Sequence, residues 1–198
     1  MSEPDTSVDS DTVDTTVVGT DVKESLIVGA TAYFVSNGGD LGYELWKTDG
    51  TYNGTVLVKE IKPGNGYSAF YPQGLVAIGT TLYFSSEDGT HGAELWKSDG
   101  TAAGTVMVKD IRAGSIGSGP SGIIVAGTSV YFTADDGVNG VAVWKSDGTE
   151  AGTQLAFDAG ATGLFAPSRL VYEPASQRLF FVASGANGRR LYVVGVTP

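Results

Sequence analysis

Aspartate and glutamate supply nearly all the side chains of this chain that could do chemistry: there are 22 of them, against one histidine and no cysteine. Their spacing offers three kinds of chemistry. Asp49, Asp99 and Asp147 each open an Asp-Gly-Thr triplet. An aspartate there accepts hydrogen bonds from amides one or two residues ahead while the glycine takes the left-handed conformation, so the three predict structural turns. Asp40, Glu87, Asp88, Asp135 and Asp136 fall in loops, where a hard cation such as calcium would need several oxygens from one neighbourhood. No loop carries the alternating Asp-x-Asp-x-Asp-Gly pattern, and these residues read first as turn chemistry and solvated surface. Glu44, Glu94 and Glu173 would make a hydrolytic carboxylate pair only if the fold brought two together. Glu44 and Glu94 recur at one position ahead of a Leu-Trp pair, which favours a structural role. His91, the single histidine, sits in a turn that other units have without it, and no thiol is present to act as nucleophile. No triad, zinc site or phosphate loop can be assembled, and the expectation is a non-catalytic protein.

What positions these residues is a repeat. Glu44-Leu45-Trp46-Lys47-Thr48-Asp49-Gly50-Thr51 returns as Glu94-Leu95-Trp96-Lys97-Ser98-Asp99-Gly100-Thr101 and again as Ala142-Val143-Trp144-Lys145-Ser146-Asp147-Gly148-Thr149. Trp46, Trp96 and Trp144 stand 50 and 48 residues apart, and a further 48 reaches Tyr192. A period near 50, filled with alternating strands and Gly-rich turns and free of 3.6-residue patterning, predicts an all-β protein, a four-bladed β-propeller with four antiparallel strands per blade. In the second unit the strands are Leu75–Gly79, Thr81–Ser86, Ala93–Lys97 and Thr105–Ile111. Trp46, Trp96, Trp144 and Tyr192 are expected in the core. So are the second-strand aromatics Tyr33-Phe34, Tyr83-Phe84, Tyr131-Phe132 and Phe180-Phe181, filling space between sheets. Pro72, Pro120 and Pro167 precede the first strands.

The last unit stops after its third strand, so the N-terminus is expected to supply the fourth and close the ring, which would remove an exposed sheet edge. Thr16–Val22 fits by residue type. Ser7–Val13 fits better by spacing, since Val22 falls in the slot that Pro72 and Pro120 hold elsewhere; the residue-type match is preferred. Residues 1–14 carry Glu3, Asp5, Asp9, Asp11 and Asp14 with no basic residue, a composition that predicts a flexible acidic tether ahead of one domain over 15–198. A net charge of -10 repels phosphate backbones, so nucleic acid is not an expected partner. The apolar runs are strand-sized, well short of the roughly 20 residues that span a bilayer, and no membrane insertion is expected.

Trp-Lys-Ser-Asp-Gly-Thr, followed by Ala-Gly-Thr and Val-Lys-Asp-Ile, resembles the ELWxxDGT repeat of large secreted or surface proteins of bacteria. The resemblance is strong over residues 26–160 and fades at Leu191-Tyr192-Val193-Val194, where Lys-Ser-Asp-Gly-Thr is lost. It names no activity. It implies an exported propeller, secreted or cell-surface, whose natural leader Met1 has replaced, and whose acidic tether serves as an anchor. The Asp-Gly-Thr turns resemble the Asp-box hairpins of sialidase-like propellers with a different residue order, which brings no catalytic residue. A calcium or other ion in the central channel, held by backbone carbonyls of four equivalent strands, would resemble hemopexin-like four-bladed propellers. Other members carry more repeats, so the chain is also compatible with a piece of a larger ring.

The most individual segment is the crossing Gly64–Pro72, with Tyr67, Phe70 and Tyr71. Aromatic side chains on crossings make platforms for sugars or protein partners, and Tyr67, Phe70 and Tyr71 are the expected ligand-binding residues. Phe70 and Phe165, each two residues before an aligned proline, read alternatively as plugs between blades. The expected function is binding of a protein or polysaccharide at the cell surface, a lectin among the options. The alternative is a self-assembling module of a surface layer or filament, and a glycoside-acting enzyme ranks behind both.

Overall fold

A computed structural model of the protein describes residues 20–64 and 71–196, and every residue in it that is regular belongs to a strand or a short 3-10 turn. The strands form four antiparallel sheets in chain order. Blade 1 holds β1 (Thr20–Val28), β2 (Thr31–Asn37), β3 (Tyr43–Thr48) and β4 (Val56–Lys59). Blade 2 holds β5 (Gln73–Ile78), β6 (Thr81–Glu87), β7 (Ala93–Ser98) and β8 (Val106–Lys109). Blade 3 holds β9 (Ser121–Ala126), β10 (Ser129–Asp135), β11 (Val141–Ser146) and β12 (Gln154–Phe157). Blade 4 holds β13 (Phe165–Glu173), β14 (Arg178–Gly185) and β15 (Gly188–Gly195).

Each sheet is a meander because its connections are too short for anything else. Ile78 pairs with Thr81, which leaves a two-residue turn whose first member, Gly79, has φ 60°. That left-handed conformation matches the twist of the paired strands and is open to glycine at little cost. The middle strands are apolar on both sides because both faces of an inner blade are covered. Leu82, Phe84 and Trp96 of blade 2 pack on Tyr33, Leu45 and Val58 of blade 1. Tyr83, Leu95 and Val108, on the opposite face, pack on Val130, Phe132 and Trp144 of blade 3. A third core joins Tyr131 and Val143 to Leu179, Phe181 and Ala183 of blade 4.

Hydrophobic contacts between blades are supplemented by a tie that repeats. Lys47 of blade 1 donates to the Gly100 carbonyl at 2.8 Å and Lys59 to the Thr105 carbonyl at 2.7 Å, both in blade 2. Lys97 and Lys109 of blade 2 make the same bonds to Gly148 and Thr153 of blade 3, at 2.8 and 2.9 Å. The third joint differs. Lys145 finds no such carbonyl among the described residues, and Phe157 stands where Lys59 and Lys109 stand elsewhere, its ring 5.1 Å from that of Phe181.

One expectation about closure is corrected, and a closed ring is not seen among the described residues. Thr20, Asp21 and Val22 belong to β1, with Thr20 opposite Asn37, so Thr16–Val22 cannot serve as the fourth strand of blade 4. Its remaining residues, and Ser7–Val13, lie outside the described residues. The first strands pack in series, β1 on β5, β5 on β9 and β9 on β13, with no comparable packing of β13 on β1 among the described residues. The outer face of blade 4 is accordingly bare: Leu191 is 67% exposed, whereas its counterparts Leu45, Leu95 and Val143 are fully buried. Among the described residues blade 4 shows three strands, not four.

Candidate functional site

The turn aspartates tie the hairpins together, each through its Oδ1. Asp99 accepts from the Thr101 amide at 2.8 Å and its hydroxyl at 2.7 Å. The Thr101 hydroxyl accepts from the Gly104 amide, its carbonyl accepts from the Thr105 hydroxyl, and Ser98 and Thr105 share a buried bond of 2.7 Å. Asp49 and Asp147 repeat the arrangement with Thr51 and Thr149. The threonine hydroxyl bond, above all, holds each of these carboxyls below the usual carboxylate range.

The repeated glutamates are staples for the crossings between blades. Glu44 is buried and accepts from the Ile61 and Lys62 amides at 3.0 and 3.2 Å; burial pushes its carboxyl up to about 7. Glu94 accepts from the amides of Arg112 and Ser118 and, at 2.6 Å, from the Ser118 hydroxyl, and burial again raises its pKa. Glu173 is tied to its own turn through the Ala175 and Ser176 amides. The three glutamates thus sit in three blades, each facing its own amides, and form no pair for acid and base work. The loop acids are engaged as well: Glu87 with Lys62, Asp88 with His91 at 2.8 Å, Asp135 with Arg112 at 3.0 Å, and Asp136 with Asn139 at 2.7 Å. Asp40 lies in the 3-10 turn Gly39–Leu41. Among the described residues no three His, Asp or Glu side chains gather to hold a metal.

Trp46, Trp96 and Trp144 are buried and Tyr192 is half-buried, its ring 5.9 Å from that of Phe181. Of the expected ligand-binding residues, Tyr67 and Phe70 lie outside the described residues and Tyr71 stands at the entry to β5. Phe165 corrects its reading as a plug: it is 61% exposed.

Tyr71 has a partner that periodicity hides. Its ring lies 5.0 Å from that of Tyr43 at 40°, and the Tyr43 hydroxyl donates to the Asp21 carboxylate. Lys23 bonds Asp21 at 2.5 Å and lies 4.9 Å above the Tyr43 ring. The Lys23 hydrogen bond holds Asp21 below the usual carboxylate range and Lys23 above the usual ammonium range, so both stay charged around neutrality. Tyr43 and Tyr71 are departures from the repeat: other units have Ala93 and Val141 in place of Tyr43, and Gly119 and Ala166 in place of Tyr71. An aromatic residue where sister units keep small ones is the signal that would have found the pair.

One residue along the chain from Lys23, at Glu24, and two from Tyr71, at Gln73, opens a cleft of about 410 Å³ between blades 1 to 3, lined by Glu24, Gln73, Gly74, Ser85, Ser121 and Gly122 among others. Glu24 of β1 reaches across to blade 2, accepting from the Gly74 and Leu75 amides at 3.0 Å each. A Cβ on Gly122 would point into open space, so missing side chains keep the cleft wide. The cleft offers the Ser85 and Ser121 hydroxyls, the Gln73 amide and the Glu24 carboxylate, groups that bind hydroxyl-rich or peptide-like ligands through hydrogen bonds.

No protein-family model matches the chain, and no curated protein matches it in sequence. Solved structures resemble it in fold. The structure described as TolB from Agrobacterium tumefaciens superposes with a TM-score of 0.52 at 12% identity, over 85% of this chain and 58% of that one. The isopeptidase AtxE2 in its apo form gives 0.50 at 11% identity, over 80% of this chain and 24% of that one. The chain therefore spans less than two thirds of either neighbour, and the likeness carries the fold: an all-β, propeller-type succession of antiparallel sheets.

Proposed function

We propose that the chain is a non-catalytic binding module of the cell surface or the secreted fraction, and that it holds a polysaccharide on the face carrying Tyr43, Tyr71 and the adjoining cleft. The observation that carries this reading is the Tyr43–Tyr71 pair with Asp21 and Lys23 fixed beside it. Tyr43 and Tyr71 stand at positions where blades 1 and 2 part from the repeat, and Tyr71 is two residues from Gln73, which lines a polar cleft. Sugar rings stack their C–H faces on aromatic residues and spend their hydroxyls on neighbours of this kind. The surface location rests on the ELWxxDGT resemblance. The non-catalytic character rests on the glutamates, which are committed to backbone amides.

A glycan array probed with the full chain, with calcium and then with chelator, tests the reading. A hit that weakens at least about tenfold in Tyr71→Ala and Tyr43→Ala supports it; tenfold corresponds to about 1.4 kcal/mol of lost stacking. A blank array sinks the polysaccharide reading and moves the search to a protein partner in envelope fractions.

A further inference from the structure

One position of the first strands carries a different chemistry at the two ends of the chain. Leu26, Val76, Ile124 and Val171 pair with the aromatic residues Tyr33, Tyr83, Tyr131 and Phe180, and two residues ahead of them stand Glu24, Gly74, Gly122 and Arg169. The first three line the cleft. Arg169 holds the fourth place, on β13, which packs beside β9. Its backbone is left-handed, with φ 55°, as are Gly74 at 71° and Gly122 at 62°. Blades 2 and 3 make that bend with glycine, whereas blade 4 keeps the bend and places a guanidinium on it. Side chains take this conformation at a cost, and such residues cluster where a ligand is held. Arg169 is exposed and forms no ion pair among the described residues.

A second observation lies next to it. Arg189 stands three residues ahead of Tyr192, as Tyr43 stands ahead of Trp46, and its Nη2 donates to the Ser168 hydroxyl at 3.1 Å. Ser168 in turn holds the place of Lys23, and Ala166 the place of Asp21. The carboxylate that neutralises Lys23 in blade 1 thus has no counterpart in blade 4. Phe165, Ser184 and Arg189 lie opposite one another in β13, β14 and β15, so they share a face of the sheet, and Phe165 is 61% exposed. Blade 4 carries four of the five arginines of the chain against one acid, Glu173, which is tied to its own turn.

We propose that the polysaccharide is sparsely acidic, and that one of its carboxylates seats on Arg169 and Arg189 while the sugar bearing it packs on Phe165. This inference rests on the polysaccharide reading above. Arginine suits a carboxylate because its planar fork offers two parallel N–H donors. A net charge of -10 disfavours a densely charged polymer, so neutral sugars separate the acidic ones.

The full chain is tested on an array of uronate-bearing oligosaccharides, each printed beside its carboxyl-reduced counterpart. Reduction is expected to weaken binding at least about tenfold, and Arg169→Gly to weaken binding of the uronate form by a similar factor while leaving the reduced form unchanged. Arg169→Gly restores the residue of blades 2 and 3, so it is expected to unfold at a urea concentration no lower than the parent, which separates lost binding from lost folding. Arg189→Gln is expected to weaken the uronate form as well, and Arg169→Lys to recover only part of the binding that Arg169→Gly loses. Equal binding of both forms, with loss in Tyr71→Ala, overturns this proposal and leaves the polysaccharide reading standing; a blank array sinks both. Uronate binding indifferent to Arg169→Gly and Arg189→Gln also overturns it. So does capture of acidic peptides in preference to every uronate, because the arginines would then serve a protein partner.

Discussion

Gly104 shows how much of the repeat one carboxylate dictates. Asp99 folds back over the hairpin, and a Cβ on Gly104 would lie 2.1 Å from its Oδ1; Gly54 and Gly152 face Asp49 and Asp147 in the same way. Their backbone is not left-handed, so the requirement is steric. Gly104→Ala must therefore displace the carboxylate and its two bonds to Thr101, at an expected cost of about 1–3 kcal/mol. Urea unfolding would read it, and a variant as stable as the parent would refute this account. Asp99→Ala, which leaves the Thr101 amide without its acceptor, is expected to cost about 1 kcal/mol by the same measurement. At this scale the sequence was half legible. An aspartate before Gly-Thr announces a turn by local chemistry alone. The glycine five residues on looks like any loop residue until the carboxylate is seen above it. Tyr43 was missed for a related reason: it sits inside the Glu-Leu-Trp strand, where periodicity directs attention to what repeats.

Between elements, the lysine ties make the blades neighbours in a defined order. A lysine bonded to a half-buried carbonyl contributes about 1.5–3 kcal/mol when its removal strands the acceptor. Lys97→Met is expected to lose about that much. Lys145→Met removes the same side chain from a joint that offers no described carbonyl, and is expected to cost under about 1 kcal/mol. The pair of variants is its own control, and equal losses in chemical denaturation would show that the carbonyl bonds are not what matters. Lys47, Lys97 and Lys145 align in the sequence, but only the coordinates show that the first two bond forward into the next blade. The strands themselves were readable because their turns are two residues long and their aromatics recur. The fourth strands end sooner than the apolar pattern suggests, since Ile111 lies past β8 and still packs in the core.

For the whole molecule, two families of carboxylates set the pH profile of stability. Glu44 titrates near 7 in the fold and near 4.5 in a free chain, so the folded state holds its proton more tightly. Stability should then be fully present below about 4.5 and fall as pH rises from there through 7, by on the order of 3 kcal/mol for a shift of this size. Glu94 shifts in the same direction. Asp49, Asp99 and Asp147 shift the other way; their contribution is present above the free-chain value and is lost as pH falls through the folded one. Melting temperature is expected to peak in mildly acidic buffer, and its alkaline side to flatten in a Glu44→Gln, Glu94→Gln variant; a parent profile flat from pH 5 to 8 would contradict this. The period announced the propeller-type stack, but periodicity carries no information on whether the last sheet meets the first. Lys-to-carbonyl polarity has one more consequence, for how such chains grow. Blade 2 receives two lysines at its own carbonyls and extends two lysines of its own, so a copied blade arrives with every partner it needs on both sides. Unit number is therefore free to drift by duplication or loss in the encoding DNA, and a chain with blade 2 written twice should fold with its new joint as firm as the old.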